Sequence, residues 1–264
     1  MGEIRIGTSG FSYDDWKGPF YPEGISKSEM LAYYASKFPT VEVNSTFYAI
    51  PSANTFKRMV EKTPTGFDFV VKAYKELTHS LEVNLDFFKQ FKMAISPLNE
   101  SGKLGCILAQ YPWSFRKNIE NMDRVRKLRR EFGELPIAVE FRNSSWISKE
   151  TFELLREHNL GFCCVDEPRL HGLMPDVVVA TSAIGYVRFH GRNAEKWWTH
   201  EEAWQRYDYL YTNEELSEWV PKIHKLAESC ERTYLFFNNH HAGNAAKNAQ
   251  MIASLLGVSL RPNE

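Results

Sequence analysis

The stretch IAVEFRNSSWISKETFELLREHNLGFCCVDEP, residues 137–168, contains one complete structural repeat. Residues 137–142 alternate, with Ile137, Val139 and Phe141 on one side and Glu140 and Arg142 on the other, the pattern of a strand with one apolar face. Ser148 can cap a helix over 148–158, and Glu150 falls in its first turn, where the helix dipole favours an acid. GFCCVD, 161–166, then reads as a second strand, so strand, helix and strand follow one another as in a parallel βαβ unit.

The unit recurs in both directions. Strands are expected at 4–9, 41–47, 67–73, 105–111, 137–142, 161–166, 186–191 and 233–239. Helices are expected at about 27–37, 52–62, 84–98, 118–132, 148–158, 213–231 and 243–256, the sixth capped by Asn213. Eight parallel strands in 264 residues predict an α/β fold, a single (β/α)8 TIM barrel occupying 1–264 as one domain. A doubly wound sheet usually holds fewer strands. EPRLHGLMPDVVVATSAIG, 167–185, carries Gly, two Pro and a β-branched run, which predicts an irregular crossover between strands six and seven.

Composition excludes several classes. With 32 Lys and Arg against 33 Asp and Glu, a net charge of -1 and 43% hydrophobic residues, the chain is neither disordered nor collagen-like. The same balance argues against a dedicated nucleic-acid coat protein, which needs a strongly basic face. Cys106, Cys163, Cys164 and Cys230 show no Cys-x-x-Cys spacing, as expected in a reducing compartment. MGEIRIGTSG enters a strand pattern directly, and no apolar run approaches the ~18–20 residues of a membrane span. A cytoplasmic protein without membrane association is expected.

The alternation also exposes a polar set. If the apolar residues of each strand face the helices, Glu42, Asn44, Lys72, Gln110, Glu140, Arg142, Asp166, Arg188, His190 and Asn238 point inward near the strand C-termini. A barrel interior is normally filled with branched aliphatic layers, and a buried charge is costly unless paired. The set is therefore either a satisfied ion-pair network or a site at the mouth where barrel enzymes keep their chemistry. Glu42, Glu140 and Asp166 balance Lys72, Arg142 and Arg188 without any ion, so neither a metal nor a cofactor is expected.

Glu140 and His190 are the candidate acid and base, with Asp166 orienting them or sharing the proton. Lys72 and Arg142 would stabilise negative charge, with Arg188 supporting from below, while Asn44, Gln110 and Asn238 would hold the ligand. A Schiff base on Lys72 is the alternative to a plain ion-pair role. The loops add candidates, since 18 Phe, 12 Tyr and 7 Trp are present and most Trp follow strand ends. Trp16, Trp146, Tyr207, His79, Asn193 and Asn239 are expected to contact ligand there. HGRN and NNHHAGNAAKNA form a second candidate, an anion site built from Arg192, His240, His241 and the backbone around Gly243.

The motifs IGTSGFSYDDWKGPFYP (6–22), VEVNSTFY (41–48), VKAYKELTH (71–79), VEFRNSSW (139–146), VDEP (165–168), YVRFHGRN (186–193), YDYLY (207–211) and FFNNHHAGNAAKNA (236–249) resemble those of the YecE-like family, domain of unknown function 72. The resemblance covers nearly the whole length and implies a TIM barrel, with no activity assigned. That barrel is similar to the endonuclease IV and xylose isomerase type, an analogy of fold that licenses no chemistry by itself.

A metal-independent hydrolase acting on a sugar- or phosphate-containing ligand is the expected function. The alternatives are a nucleic-acid-binding or metal-dependent phosphoesterase-like protein, or a binding protein without turnover. The expected partner is a small-molecule or nucleic-acid ligand at the barrel mouth; the oligomeric state is left open.

Overall fold

The computed structural model describes residues 1–260. All eight expected strands form: β1 (Glu3–Thr8), β2 (Thr40–Val43), β3 (Asp68–Lys72), β4 (Leu104–Gln110), β5 (Ile137–Glu140), β6 (Gly161–Asp166), β7 (Ile184–Phe189) and β8 (Arg232–Phe237). They pair in parallel in the order β1-β8-β7-β6-β5-β4-β3-β2, a nearly closed TIM barrel.

The β1–β2 seam closes by a single bridge between Ser9 and Glu42, with Gly10 N–H donating to Glu42 O at 2.8 Å. Below it, the buried Tyr34 hydroxyl accepts from Thr8 N–H at 2.9 Å and donates to Thr40 O at 3.2 Å, serving backbone groups that the missing ladder leaves open. Gly7 is needed here because a Cβ would stand 2.2 Å from Thr40 O.

The helices are α1 (Met30–Ala35), α2 (Ala53–Glu61), α3 (Lys75–Thr78), α4 (Leu85–Glu100), α5 (Ile119–Phe132), α6 (Lys149–Glu157), α7 (Asn213–Ser217), α8 (Val220–Glu228) and α9 (Asn244–Leu256). Ser148 caps α6 as expected, accepting from Thr151 N–H at 3.2 Å. The helix expected over 213–231 is two helices, α7 and α8. Pro221 sits in the first turn of α8, where its missing N–H costs nothing but a continuous helix would lose a bond. Thr212 caps α7 in place of Asn213, through a capping box with Glu215.

The crossover between β6 and β7 holds no helix. Thr181 stitches it to the barrel, its hydroxyl accepting from Phe162 N–H at 2.7 Å and donating to Leu160 O at 2.6 Å. Among the described residues no helix is long and apolar enough to cross a membrane.

Strand register sorts side chains into tiers inside the barrel. Arg5, Asp68, Arg232 and Tyr234 close the N-terminal end, with the Tyr234 hydroxyl donating to Asp68 Oδ2 at 2.8 Å. Tyr186 and Phe236 pack against Tyr234 in the middle, so flat rings do much of the filling expected of branched aliphatics. Glu42, Glu140 and Arg188, each almost wholly buried, form the tier above.

Candidate active site

A chain of buried charge crosses that upper tier. Arg188, from β7, donates from Nη2 to Glu42 Oε1 at 2.6 Å and from Nη1 to Glu140 Oε2 at 2.6 Å. The Tyr186 hydroxyl donates to the other Glu42 oxygen at 2.6 Å. Arg142, just past β5, forms an ion pair through Nε with Glu140 and donates from Nη1 to Glu167 Oε2 at 3.1 Å. His190 Nε2 lies 3.2 Å from Glu140 Oε1, and Asn238 Nδ2 lies 3.2 Å from His190 Nδ1.

Electrostatics settles the protonation of this network. Burial pushes the Glu140 carboxyl up, but Arg142, Arg188 and His190 outweigh it and hold the group well below the usual carboxylate range. Burial, then Arg142, pushes the His190 imidazole well below its ordinary value, so the ring is neutral. A neutral ring facing a carboxylate at Nε2 and an amide N–H at Nδ1 carries its proton on Nε2. Arg142 and Arg188 remain charged.

Above the chain, the strand C-termini open into a cavity of about 630 Å³, within the usual ~300–1,000 Å³ of ligand pockets. Lys72, Arg142 and Arg188 lie on its wall with Asn44, Gln110 and Asn238, and among the described residues no Asp or Glu borders it. Its rings are Phe11, Tyr13, Phe47, Tyr48, Trp204, Tyr207 and His240. A second hollow of about 270 Å³ shares Gln110, Arg142 and Tyr207 and adds His79, Trp198 and Arg206.

The wall is built from below. The Tyr13 ring stacks on His240, centroids 4.7 Å apart and planes 1° from parallel. Gly10, at φ 87°, admits that tyrosine, since a Cβ there would stand 2.4 Å from the Tyr13 hydroxyl.

Lys72 stands apart from the other cations. Its Nζ lies 4.3 Å from the Phe47 ring centroid and has no hydrogen-bond or ion-pair partner among the described residues. Burial, then Arg188, pushes its ammonium down to about 7 against the opposing pull of Glu140 and Glu42. The Asn44 Oδ1 atom is also buried without a hydrogen bond.

The expected residues divide. Glu140, His190, Arg142, Arg188 and Asn238 come together, with Lys72, Asn44, Gln110 and Tyr207 around the cavity. Glu140 and His190 are fully buried and do not border the cavity. His79 lines only the second hollow, where burial, then Lys72, pushes its imidazole down to about 4.

Asp166 faces the helix layer. It accepts from Arg192 Nη2, the Tyr211 hydroxyl and Trp219 Nε1, each at 2.7 Å, and so docks the loop after β7. Asn193 donates to Gln205 O at 3.2 Å and Asp208 O at 3.1 Å, and Asn239 donates to Tyr209 O at 2.8 Å, which turns both amides onto loop backbone. Trp16 and Trp146 are completely buried: Trp16 donates to His240 O at 2.6 Å, and Trp146 packs between Phe115 and Phe141.

Two groups of the second anion candidate are engaged by protein acids. Arg192 is held by Asp166 and Glu218, and the Ala242 N–H, in the turn before α9, donates to Asp15 Oδ2 at 2.7 Å.

Glu167 is the member that sequence reasoning missed. It is buried, accepts from Met174 N–H at 2.9 Å as well as from Arg142, and takes the place expected of Asp166. Burial pushes its carboxyl up to about 7 against the pull of Arg142. Only the folded register reveals it, because Val165 pairs with Arg188 and puts position 167 on the inward side. Among the described residues no three His, Cys, Asp or Glu side chains gather as a metal centre needs.

Residues 5–263 match the family model described as "Protein of unknown function DUF72". UPF0759 protein YunF of Bacillus subtilis is 33% identical over 271 residues, covering 97% of this chain and 95% of that protein. A crystal structure of a DUF72 family protein from Thermotoga maritima is 41% identical with a TM-score of 0.90, covering 97% of this chain and 99% of its own. Another, from Enterococcus faecalis, is 30% identical with a TM-score of 0.87, covering 99% of both chains. With the motifs, the barrel and these relatives in agreement, the chain belongs to the DUF72 family.

Proposed function

We propose that the barrel mouth recognises a small anionic ligand, a phosphate ester carrying a sugar or flat ring, and handles it without a metal. The observation that carries this reading is the cavity wall, which presents Lys72, Arg142 and Arg188 and, among the described residues, no carboxylate. Arg142 and Arg188 are already matched by Glu42, Glu140 and Glu167, so Lys72 is the cation that a ligand's anionic group would complete. Phe47, Tyr48, Trp204 and Tyr207 supply faces for a ring, with Tyr48 74% and Trp204 37% exposed.

Hydrolysis by Glu140 and His190 draws less support, because neither reaches the cavity and the carboxylate already serves Arg188 and His190 and pairs with Arg142. A two-carboxylate glycosidase site needs acids on either side of the ligand, and among the described residues this wall has none.

Calorimetry with inorganic phosphate, glucose 6-phosphate, AMP, glucose and adenosine tests the reading. The phosphorylated probes are expected to bind with an affinity that falls as salt rises, and to bind without added divalent metal. Equal binding of glucose or adenosine, or a strict requirement for a divalent ion, would overturn it.

A further inference from the structure

We propose that Lys72 is an amine nucleophile that captures the carbonyl carbon of a phosphorylated aldehyde or ketone as a Schiff base. The inference rests on the phosphate-ester reading above and names a reactive group for that ligand. Three placements carry it. Lys72 borders the cavity at the end of β3, with Nζ against the Phe47 ring and no hydrogen-bond or ion-pair partner among the described residues. The neighbouring cations are each bound to carboxylates, so among the described residues no acid pairs with the amine. Asn44 follows Val43, which pairs with Val71, so it stands beside Lys72 in register and offers its unpartnered Oδ1.

A resting ion-pair lysine would instead be expected to touch a carboxylate, as the arginines here do. Thr46 fixes the strand end, its hydroxyl donating to Lys72 O at 2.6 Å. With its ammonium pushed down to about 7, Lys72 holds roughly three orders of magnitude more free amine at neutral pH than an ordinary lysine.

The step balances without an oxidant or a metal. The Nζ lone pair forms the C–N bond while the carbonyl π pair moves to oxygen, and one proton passes from nitrogen to that oxygen. Asn44 Oδ1 can accept from the resulting carbinolamine hydroxyl. A solvent proton then lets the hydroxyl leave as water with the C–O pair, and the nitrogen lone pair completes the C=N bond. One amine, one carbonyl and one proton give one iminium ion and one water. The iminium charge, close to Arg142 and Arg188, is offset by the ligand's phosphate.

Pyridoxal 5′-phosphate is a suitable probe because it joins a ring, a phosphate and an aldehyde. The protein is treated with it, reduced with borohydride and mapped by peptide mass spectrometry. Lys72 is expected to label at least about ten-fold faster than any exposed lysine, and about ten-fold faster than with unphosphorylated pyridoxal. Inorganic phosphate should protect it, and the labelling rate should rise with a midpoint near pH 7. Lys72→Arg should abolish the adduct, and Lys72→Met serves if the arginine variant does not fold.

Labelling spread over exposed lysines, with Lys72 no faster, overturns the inference, and phosphate binding in calorimetry would then leave the ligand reading standing. Rapid labelling of Lys72 by both aldehydes, without protection by phosphate, overturns the ligand reading and keeps the nucleophile.

Discussion

The two ends of the barrel both contain buried ions, yet they differ in one respect. At the N-terminal end Asp68 receives Arg5 at 3.4 Å and Arg232 at 3.3 Å, and Lys103 donates to Val60 O at 3.1 Å and Thr63 O at 2.7 Å. Every cation there has an oxygen. At the C-terminal end the arginines are equally well matched, but Lys72 faces a cavity with no partner among the described residues. A closed ion cluster fixes register; an open one with a spare cation is poised for a ligand. The location agrees with where barrels keep their chemistry.

The largest expected effect tests that contrast directly. Glu140→Ala strips Arg188, Arg142 and His190 of their shared carboxylate and should cost about 3–5 kcal/mol in urea unfolding. Asp68→Ala should cost less, about 1–3 kcal/mol, because Arg232 keeps 37% of its side-chain surface in water and can be resolvated. Equal losses at the two ends would remove the distinction.

Lys72→Met should act in the opposite direction. The folded-state ammonium is depressed from 10.5 to about 7, so the unfolded chain binds the proton more tightly between those values. Lys72 therefore penalises the fold fully below about pH 7, and the penalty fades as pH rises towards 10.5. The variant should gain about 1–3 kcal/mol at pH 6 and progressively less towards pH 10. A loss of stability at pH 6 would mean that Lys72 has a partner.

Glu167→Gln should produce a smaller and pH-shaped change. A carboxyl raised from 4.5 to about 7 contributes most below pH 4.5 and loses that contribution as pH rises through 7. The variant's thermal midpoint should vary less than the wild type's across that window, and an unchanged slope would place the titration elsewhere.

The smallest expected effect is on the rim. Trp204→Ala should leave stability within ~0.5 kcal/mol and weaken AMP binding by about 1 kcal/mol. Full retention of affinity would exclude Trp204 from the ring face of the cavity.

β5 and β7 were legible because apolar residues mark their outward face: Ile137, Val139 and Phe141, or Val187 and Phe189. Glu140, Arg142, Arg188 and His190 then had only one side left. β6 was not legible, because Phe162, Cys163, Cys164 and Val165 are apolar on both faces and every one is buried. Parity had no anchor there, so the sequence places Asp166 inward, whereas the pairing with β7 puts Glu167 there.

The aromatic loops failed differently. Position after a strand end says where a ring starts, not whether it folds under the rim as Trp16 and Trp146 do or lies on it as Trp204 does. Asn193 and Asn239 followed the same rule, since a loop amide is drawn to backbone carbonyls that only the folded loop brings near.

By itself the sequence determined the architecture and the existence of an inward polar tier, because both follow from local periodicity: two residues per strand repeat, and alternation that packing on helices enforces. Only the tertiary structure decided which charges cancel and which cation is left over. Pairing in the interior links β2, β5, β7 and the turn after β6, and those partners are separated by stretches of chain that no local pattern spans.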